Sequence, residues 1–267
     1  MYYHQIYFQF TNTKKTIPNE SVVIKSYLQQ NCSSLIYNLW NFEDAKTFVK
    51  TNYPIFFDFF TMETTFPILK CDFFRYLLMY HYGGIYTDLD FIAIRPFETF
   101  IHLLNNGKIN YFPNTVKSPS IILSEEWLNS STYTNTLHNG ILISLKEKHP
   151  FWMKLVMEIY NNVIFLNNVP TKNDDVFFIS GPKKLCSYFK ENIQFFNDVC
   201  VLPYYYFCPY ISIENGERKM MNNAMIENMT ENVQWVFHNI TEHNNLFKRC
   251  PNSFFVCVFL NSGSMWK

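Results

Sequence analysis

Sixteen residues from Pro67 to Tyr82 form the segment that most limits how this chain can fold. They predict a helix that is apolar on nearly every side, so it must be covered all round by other elements. Gly83-Gly84 ends it, because the helix C-terminus and the turn that follows need a positive φ. Ile85-Tyr86-Thr87 then reads as a short strand. A covered helix returning through a tight turn into a strand points to helices layered on a sheet. Two polar features interrupt this apolar sequence. Asp72 and Arg75 stand three residues apart on the helix, and Asp88-Leu89-Asp90 follows the strand. Such groups are costly in apolar surroundings unless something pairs with them.

The flanking sequence supports the layered reading. Ile6 to Phe10 is expected to be a first buried strand, and Pro18 to open a helix reaching about Gln30 with Val22, Val23, Ser26 and Tyr27 on its pattern. Leu35 to Trp40 follows as a second strand. Asn41 caps a helix with Glu43 and Asp44 in its first turn. Downstream, Gly140–Ser144 reads as a strand, Pro150 to Asn162 as an amphipathic helix, and Ser180-Gly181-Pro182 as a turn opening a helix at Lys183. Asn215 to Asn232 is the most polar stretch and is expected at the surface. Strands alternating with helices predict an α/β fold with a mainly parallel central sheet, in one continuous domain over 1–267.

Composition excludes several classes. Hydrophobic residues make up 48% and aromatics 19%, so a large core is available and global disorder is excluded. Formal net charge is zero and the pI is near 7.0, so no basic footprint indicates nucleic acid as a partner. The seven cysteines are scattered without a CxxC spacing, which argues against a zinc site or a disulfide framework and for reduced thiols in a cytosol-like compartment. No apolar run is long enough to span a membrane, and the start Met1-Tyr2-Tyr3-His4-Gln5 lacks the features of a signal peptide. A cytoplasmic protein is expected. The runs Val199–Tyr210 and Phe254–Leu260 read as buried strands rather than as a peripheral membrane contact, which is the alternative they leave open.

The two carboxylates of Asp88 and Asp90 are read as lying on one side of an extended segment. Two hard oxygen ligands suit Mn²⁺ or Mg²⁺, with other positions left for water and phosphate oxygens. On its own, Asp-x-Asp is a weak signal and is more commonly two solvated turn carboxylates. Asp72 and Arg75 share a helix face; they form either an internal ion pair or a donor and acceptor for phosphate and sugar. Together the two pairs suggest an enzyme that handles a nucleotide-diphosphate sugar.

Asp72-Phe73-Phe74-Arg75-Tyr76-Leu77-Leu78-Met79-Tyr80, then Gly83 to Asp90 and Arg95-Pro96, resembles the sugar-binding DXD region of glycosyltransferase family 32. That family includes α-mannosyltransferases and mannosyl-inositol-phosphoceramide synthase subunits. The same spacing is found in the glucosylating clostridial toxins, which share the fold. The resemblance implies a GT-A (Rossmann-like) nucleotide-sugar-binding fold with a donor-binding core over about 1–145 and an acceptor side and C-terminal lid over about 146–267. It implies a metal-dependent, retaining transfer of a hexose from GDP-mannose or a UDP-hexose to a glycan or glycolipid. Asp90 and Asp88 would hold the metal, and Asp72 and Arg75 would position the donor hexose with Tyr86 packing beside it. Tyr7 matches the family's base-contacting aromatic. Asn139 matches an Asn near the donor sugar, with a turn-forming Asn-Gly as its alternative. Ser264 and Trp266 match a closing Ser-x-Trp, but Asn261 stands where the toxins place a metal-linked Glu, and His238 or His243 would have to replace the His that many relatives carry. That difference keeps open a catalytically weak or inactive sugar-binding protein. A haloacid-dehalogenase-type phosphotransferase also uses Asp-x-Asp, yet the Gly-Gly turn lies too close upstream of Asp88 and such an enzyme has no place for Asp72 and Arg75.

Overall fold

The computed structural model describes residues 1–9, 25, 28–63, 65–126, 136–166, 170, 173–212, 217–221, 226–232, 250 and 252–257. Its centre is a six-stranded sheet built from β1 (Tyr2–Ile6), β2 (Ile36–Trp40), β3 (Gly84–Thr87), β5 (Ile121–Glu126), β6 (Thr136–Ser144) and β7 (Val199–Leu202), in the order β2-β1-β3-β6-β5-β7. Only β6 runs against its neighbours: β1–β2, β1–β3 and β5–β7 are parallel, whereas β6 is antiparallel to β3 and β5. The mainly parallel α/β sheet expected from the sequence is the one observed.

One face of the sheet is covered by helices. These include α1 (Phe42–Asn52), α3 (Pro67–His81), which follows the short α2 (Phe57–Thr61), and, beyond α4 (Phe97–Asn105), α5 (Pro150–Ile164), α6 (Asn173–Ile179) and α7 (Pro182–Asn192). Every residue of α3 from Leu69 to Met79 is buried, Lys70, Asp72 and Arg75 included, as the all-round apolar pattern requires. The helix packs along α5, where Tyr76 stacks on Trp152 at 6.0 Å. The other face carries α4 and a two-stranded ribbon of β4 (Phe91–Ala93) with β11 (Phe255–Cys257). A further antiparallel ribbon joins β8 (Tyr210–Ser212), β9 (Glu217–Met221) and β10 (Ile226–Asn232).

Local signals mostly operate as read. The Asn41 side chain accepts from the Asp44 N–H and caps α1, and Pro182 opens α7. The runs at β7 and β11 are buried strands. The first strand is a correction: it covers Tyr2–Ile6, not Ile6–Phe10, because parallel pairing with β2 aligns Tyr2 with Ile36 and Ile6 with Trp40. The helix expected from Pro18 lies outside the described residues except for residues 25 and 28–31, which are helical. The side chains of Asn215 to Asn232, together with Asn261, His238, His243, Ser264 and Trp266, also lie outside them. No helix of the described residues is long and apolar enough to cross a membrane.

Gly83 and Gly84 have φ of 60° and 87°. A Cβ on Gly84 would stand 2.2 Å from the Tyr2 carbonyl oxygen, so this position combines a left-handed backbone with direct contact between β1 and β3. Gly84→Ala should lower the unfolding free energy by about 3 kcal/mol or more, since the strain and the clash add. Urea titration of the variant against the parent chain measures this, and a change under about 1 kcal/mol would contradict it.

Candidate active site

Helix α3 runs antiparallel to β3, so its first turns and the carboxyl end of β3 meet at the same edge of the sheet. Ligands bind at such edges in open α/β sheets. Asp72 and Arg75, one turn apart on α3, face β6. Arg75 Nη2 lies 3.2 Å from Asp72 Oδ1, and Nη1 lies 3.2 Å from Asp88 Oδ1. Nη1 also donates to the Asn139 carbonyl at 2.8 Å. The guanidinium sits 4.8 Å above the Tyr86 ring, and the Tyr86 hydroxyl donates to Asp88 Oδ1 at 2.6 Å. One buried cation therefore joins the helix, the end of β3 and the middle of β6.

Asp72 is itself enclosed. Its Oδ1 accepts from Asn139 Nδ2 at 2.9 Å and its Oδ2 accepts from the Ser180 hydroxyl at 2.8 Å. Tyr76 closes the set by donating to the Ser180 carbonyl at 2.9 Å. Of the two readings of the Asp72–Arg75 pair, the internal ion pair is present. Burial pushes the Asp72 carboxyl up to about 6, against the pull of Arg75 and Ser180.

Asn139 reaches this network because β6 bulges. Ile122 pairs with Ile143 and Ser124 with His138, so two steps on β5 (124 − 122) face five on β6 (143 − 138). Such bulges re-aim side chains next to sites. Here Asn139 points to the helices, and the Gly140 carbonyl is left to accept from Asp88 N–H at 2.8 Å. The Asn-Gly pair is thus interior to a strand rather than a turn. An isolated glycine in a strand pattern is the signal that would have revealed the bulge. Ser180, 108 residues from Asp72, gives no comparable signal, and neither does Gln5, whose amide donates to the Asp88 carbonyl at 3.1 Å.

The Asp-x-Asp segment also needs correction. Asp88 follows β3, but Leu89 and Asp90 form a turn, with Phe91 N–H on the Asp88 carbonyl at 3.3 Å. The turn arises because the chain must pass from the central sheet to β4, so an extended period-two arrangement does not hold. The Asp88 side chain remains 34% exposed, while Asp90 is buried. Burial, with Asp88 beside it, pushes the Asp90 carboxyl up to about 6. A Cβ at Gly140 would lie 2.7 Å from Asp88 Oδ2, so the glycine keeps that oxygen clear. Three carboxylates against one guanidinium give +1 − 3 = −2 when all are ionised. The oxygen donors and this charge fit a hard divalent cation. Tyr7 lies just past β1, half-buried, with its N–H on the Trp40 carbonyl at 2.8 Å.

Residues 10–108 match the family described as glycosyltransferase sugar-binding region containing DXD motif. The matched residues include Asp72, Arg75, Asp88 and Asp90, the segment on which the resemblance rested. Among curated proteins, the chain is 44% identical over 66 residues to mannosyl phosphorylinositol ceramide synthase CSH1 of Saccharomyces cerevisiae, covering 23% of this chain and 17% of that protein. It is 30% identical over 145 residues to inositol phosphoceramide mannosyltransferase 1 of Schizosaccharomyces pombe, covering 54% of this chain and 37% of that protein. The aligned part thus spans well under half of either relative. Among solved structures, the PaToxG glycosyltransferase superposes with a TM-score of 0.46 at 16% identity, over 72% of this chain and 69% of its own.

The raised carboxyls of Asp72 and Asp90 set a pH dependence. For each, the contribution to stability is full below the unfolded value of 3.8 and is lost as pH rises through about 6. In chelator, taking the chain from pH 7 to pH 5 should therefore recover stability, on the order of 1 kcal/mol per group. Asp90→Asn should show a smaller gain than the parent chain in urea melts at the two pH values. An identical gain in both would show that Asp90 titrates normally.

Proposed function

We propose that this chain is a metal-dependent, retaining glycosyltransferase that moves a hexose from a nucleotide-diphosphate sugar to a hydroxyl of a glycan or glycolipid. The observation that carries the reading is Arg75, buried between Asp72 and Asp88 at the carboxyl edge of β3, within the region that matches the DXD family. The names of the relatives favour a mannose donor and an inositol phosphoceramide acceptor. Residues 1–145 would form the donor half and 146–267 the acceptor side and lid.

Asp90, with Asp88 directly or through water, would hold Mn²⁺ or Mg²⁺; when bound, the cation offsets diphosphate charge. The protein's own residues do the rest. Asp72, Asn139 and Ser180 hold the Arg75 guanidinium at one position, so its charge is preorganised toward the departing phosphate, where electrostatic stabilisation counts most. Tyr86 fixes Asp88 Oδ1 and leaves Oδ2 toward the space kept open by Gly140. Asp72, with both oxygens engaged by protein groups, acts on the hexose through Arg75 and Asn139. Tyr7, Tyr86, Ser264 and Trp266 complete the proposed nucleotide and sugar contacts. Retention would follow a front-face route, with the acceptor hydroxyl entering on the side the diphosphate leaves; trapping a covalent sugar–enzyme adduct would overturn that part.

A screen of UDP- and GDP-sugars with Mn²⁺, scored by released nucleotide, tests the whole reading. Turnover is expected with at least one donor and should fall at least about 100-fold in Asp88→Ala/Asp90→Ala, the loss typical of removing a principal transition-state contact. Unchanged turnover in that variant would refute the metal assignment. Calorimetric binding of donor with no hydrolysis or transfer would instead favour a sugar-binding protein without catalysis.

A further inference from the structure

The bulge that turns Asn139 toward the helices leaves its neighbour His138 on the opposite face, toward the β4–β11 ribbon. There Phe91 packs edge-on against the His138 ring at 5.2 Å, and Phe91 pairs with Cys257 across the ribbon. Cys208, just after β7, completes a cluster. One donor atom from each of His138, Cys208 and Cys257 lies within 4.8 Å of the other two, and all three residues are buried. Neither cysteine is in a disulfide, and the imidazole is hydrogen-bonded to Cys208. These residues come from strands and turns separated by 70 and 49 positions (208 − 138, 257 − 208), which is why no motif announces them.

An imidazole and two thiols form a nitrogen–sulfur donor set, suited to zinc-class cations and poorly suited to Mg²⁺ or Mn²⁺. Ligand atoms on one tetrahedral zinc stand about 3.5–3.8 Å apart, so the three need close by only about 1 Å. A second observation lies beside them. Ser124 of β5 is opposite His138, and Glu126 is opposite Thr136, on the same face of the sheet. Glu126 Oε2 and Thr136 Oγ1 are both buried and have no hydrogen-bond partner among the described residues. A buried carboxylate oxygen in that condition calls for a cation or a donor.

We propose that His138, Cys208 and Cys257, with Glu126 as fourth donor, bind one zinc-class cation that fastens β11 to the central sheet behind the Asp88–Asp90 turn. Binding displaces the two thiol protons, so the dication meets two thiolates and a carboxylate. The inference is independent of the transferase reading. It concerns a different donor chemistry from Asp88 and Asp90, and it stands whether or not the chain turns over a nucleotide sugar.

Co²⁺ titration of the reduced, metal-stripped chain provides the test. One equivalent should raise a thiolate-to-cobalt charge-transfer band together with the visible bands of a tetrahedral ion, and added Zn²⁺ should abolish both. The Gly140 amide resonance should shift on loading, because its N–H rests on His138 Nδ1 at 2.9 Å. Cys208→Ser and Cys257→Ser should lose the band, whereas Asp88→Ala/Asp90→Ala should keep it, since carboxylates give no such transition. Absence of the band in the parent chain overturns the proposal, as does a band undiminished in Cys257→Ser. Should a serine variant fail to fold by near-UV circular dichroism, the parent titration decides.

Discussion

A guanidinium removed from water needs charge and hydrogen-bond partners on several sides, and Arg75 draws them from three elements at once. Asp72 comes from its own helix, Asp88 from the end of β3, the Asn139 carbonyl from β6, and the Tyr86 ring lies beneath. Removing one partner of such a set leaves an uncompensated buried charge, so these elements are held to one relative arrangement. The covered helix, the glycine turn and the strand bulge can all be understood as what brings those partners to a single cation. Its Nε is buried and has no hydrogen-bond partner among the described residues, so the two Nη atoms carry the pairing.

What could be read from the sequence was local. Asn41 as a cap, Pro182 as a helix start and Gly83-Gly84 as a left-handed turn each depend on a few adjacent residues, and each holds. The α3 helix was legible because its apolar pattern is continuous. Register was not legible. The first strand lies four residues earlier than expected because its position is set by pairing with β2 and by contact with Gly84, neither of which has a local sequence signature.

The site shows the same division. Asp72, Arg75, Asp88 and Asp90 are close enough in sequence to be seen as a group. Ser180 and Gln5 join them only through tertiary packing, and Asn139 joins through a bulge that periodicity alone would misread, since three extra residues reverse which side chains face the helices. The Asp88–Asp90 turn was misjudged for a related reason: period-two reasoning holds only while the chain stays in the sheet, and here it leaves for β4.

Strand β6 is bonded on both sides, to β3 and to β5, and so has no free edge into which a change of length could relax. Asn139 and His138 are consecutive yet serve opposite faces of the sheet. A deletion or insertion of one residue between Thr136 and Ser144 would exchange those faces, taking the amide from Asp72 and the imidazole from the cysteines in a single event. The length of this nine-residue strand is therefore a harder constraint on the chain's variation than the identity of most side chains along it.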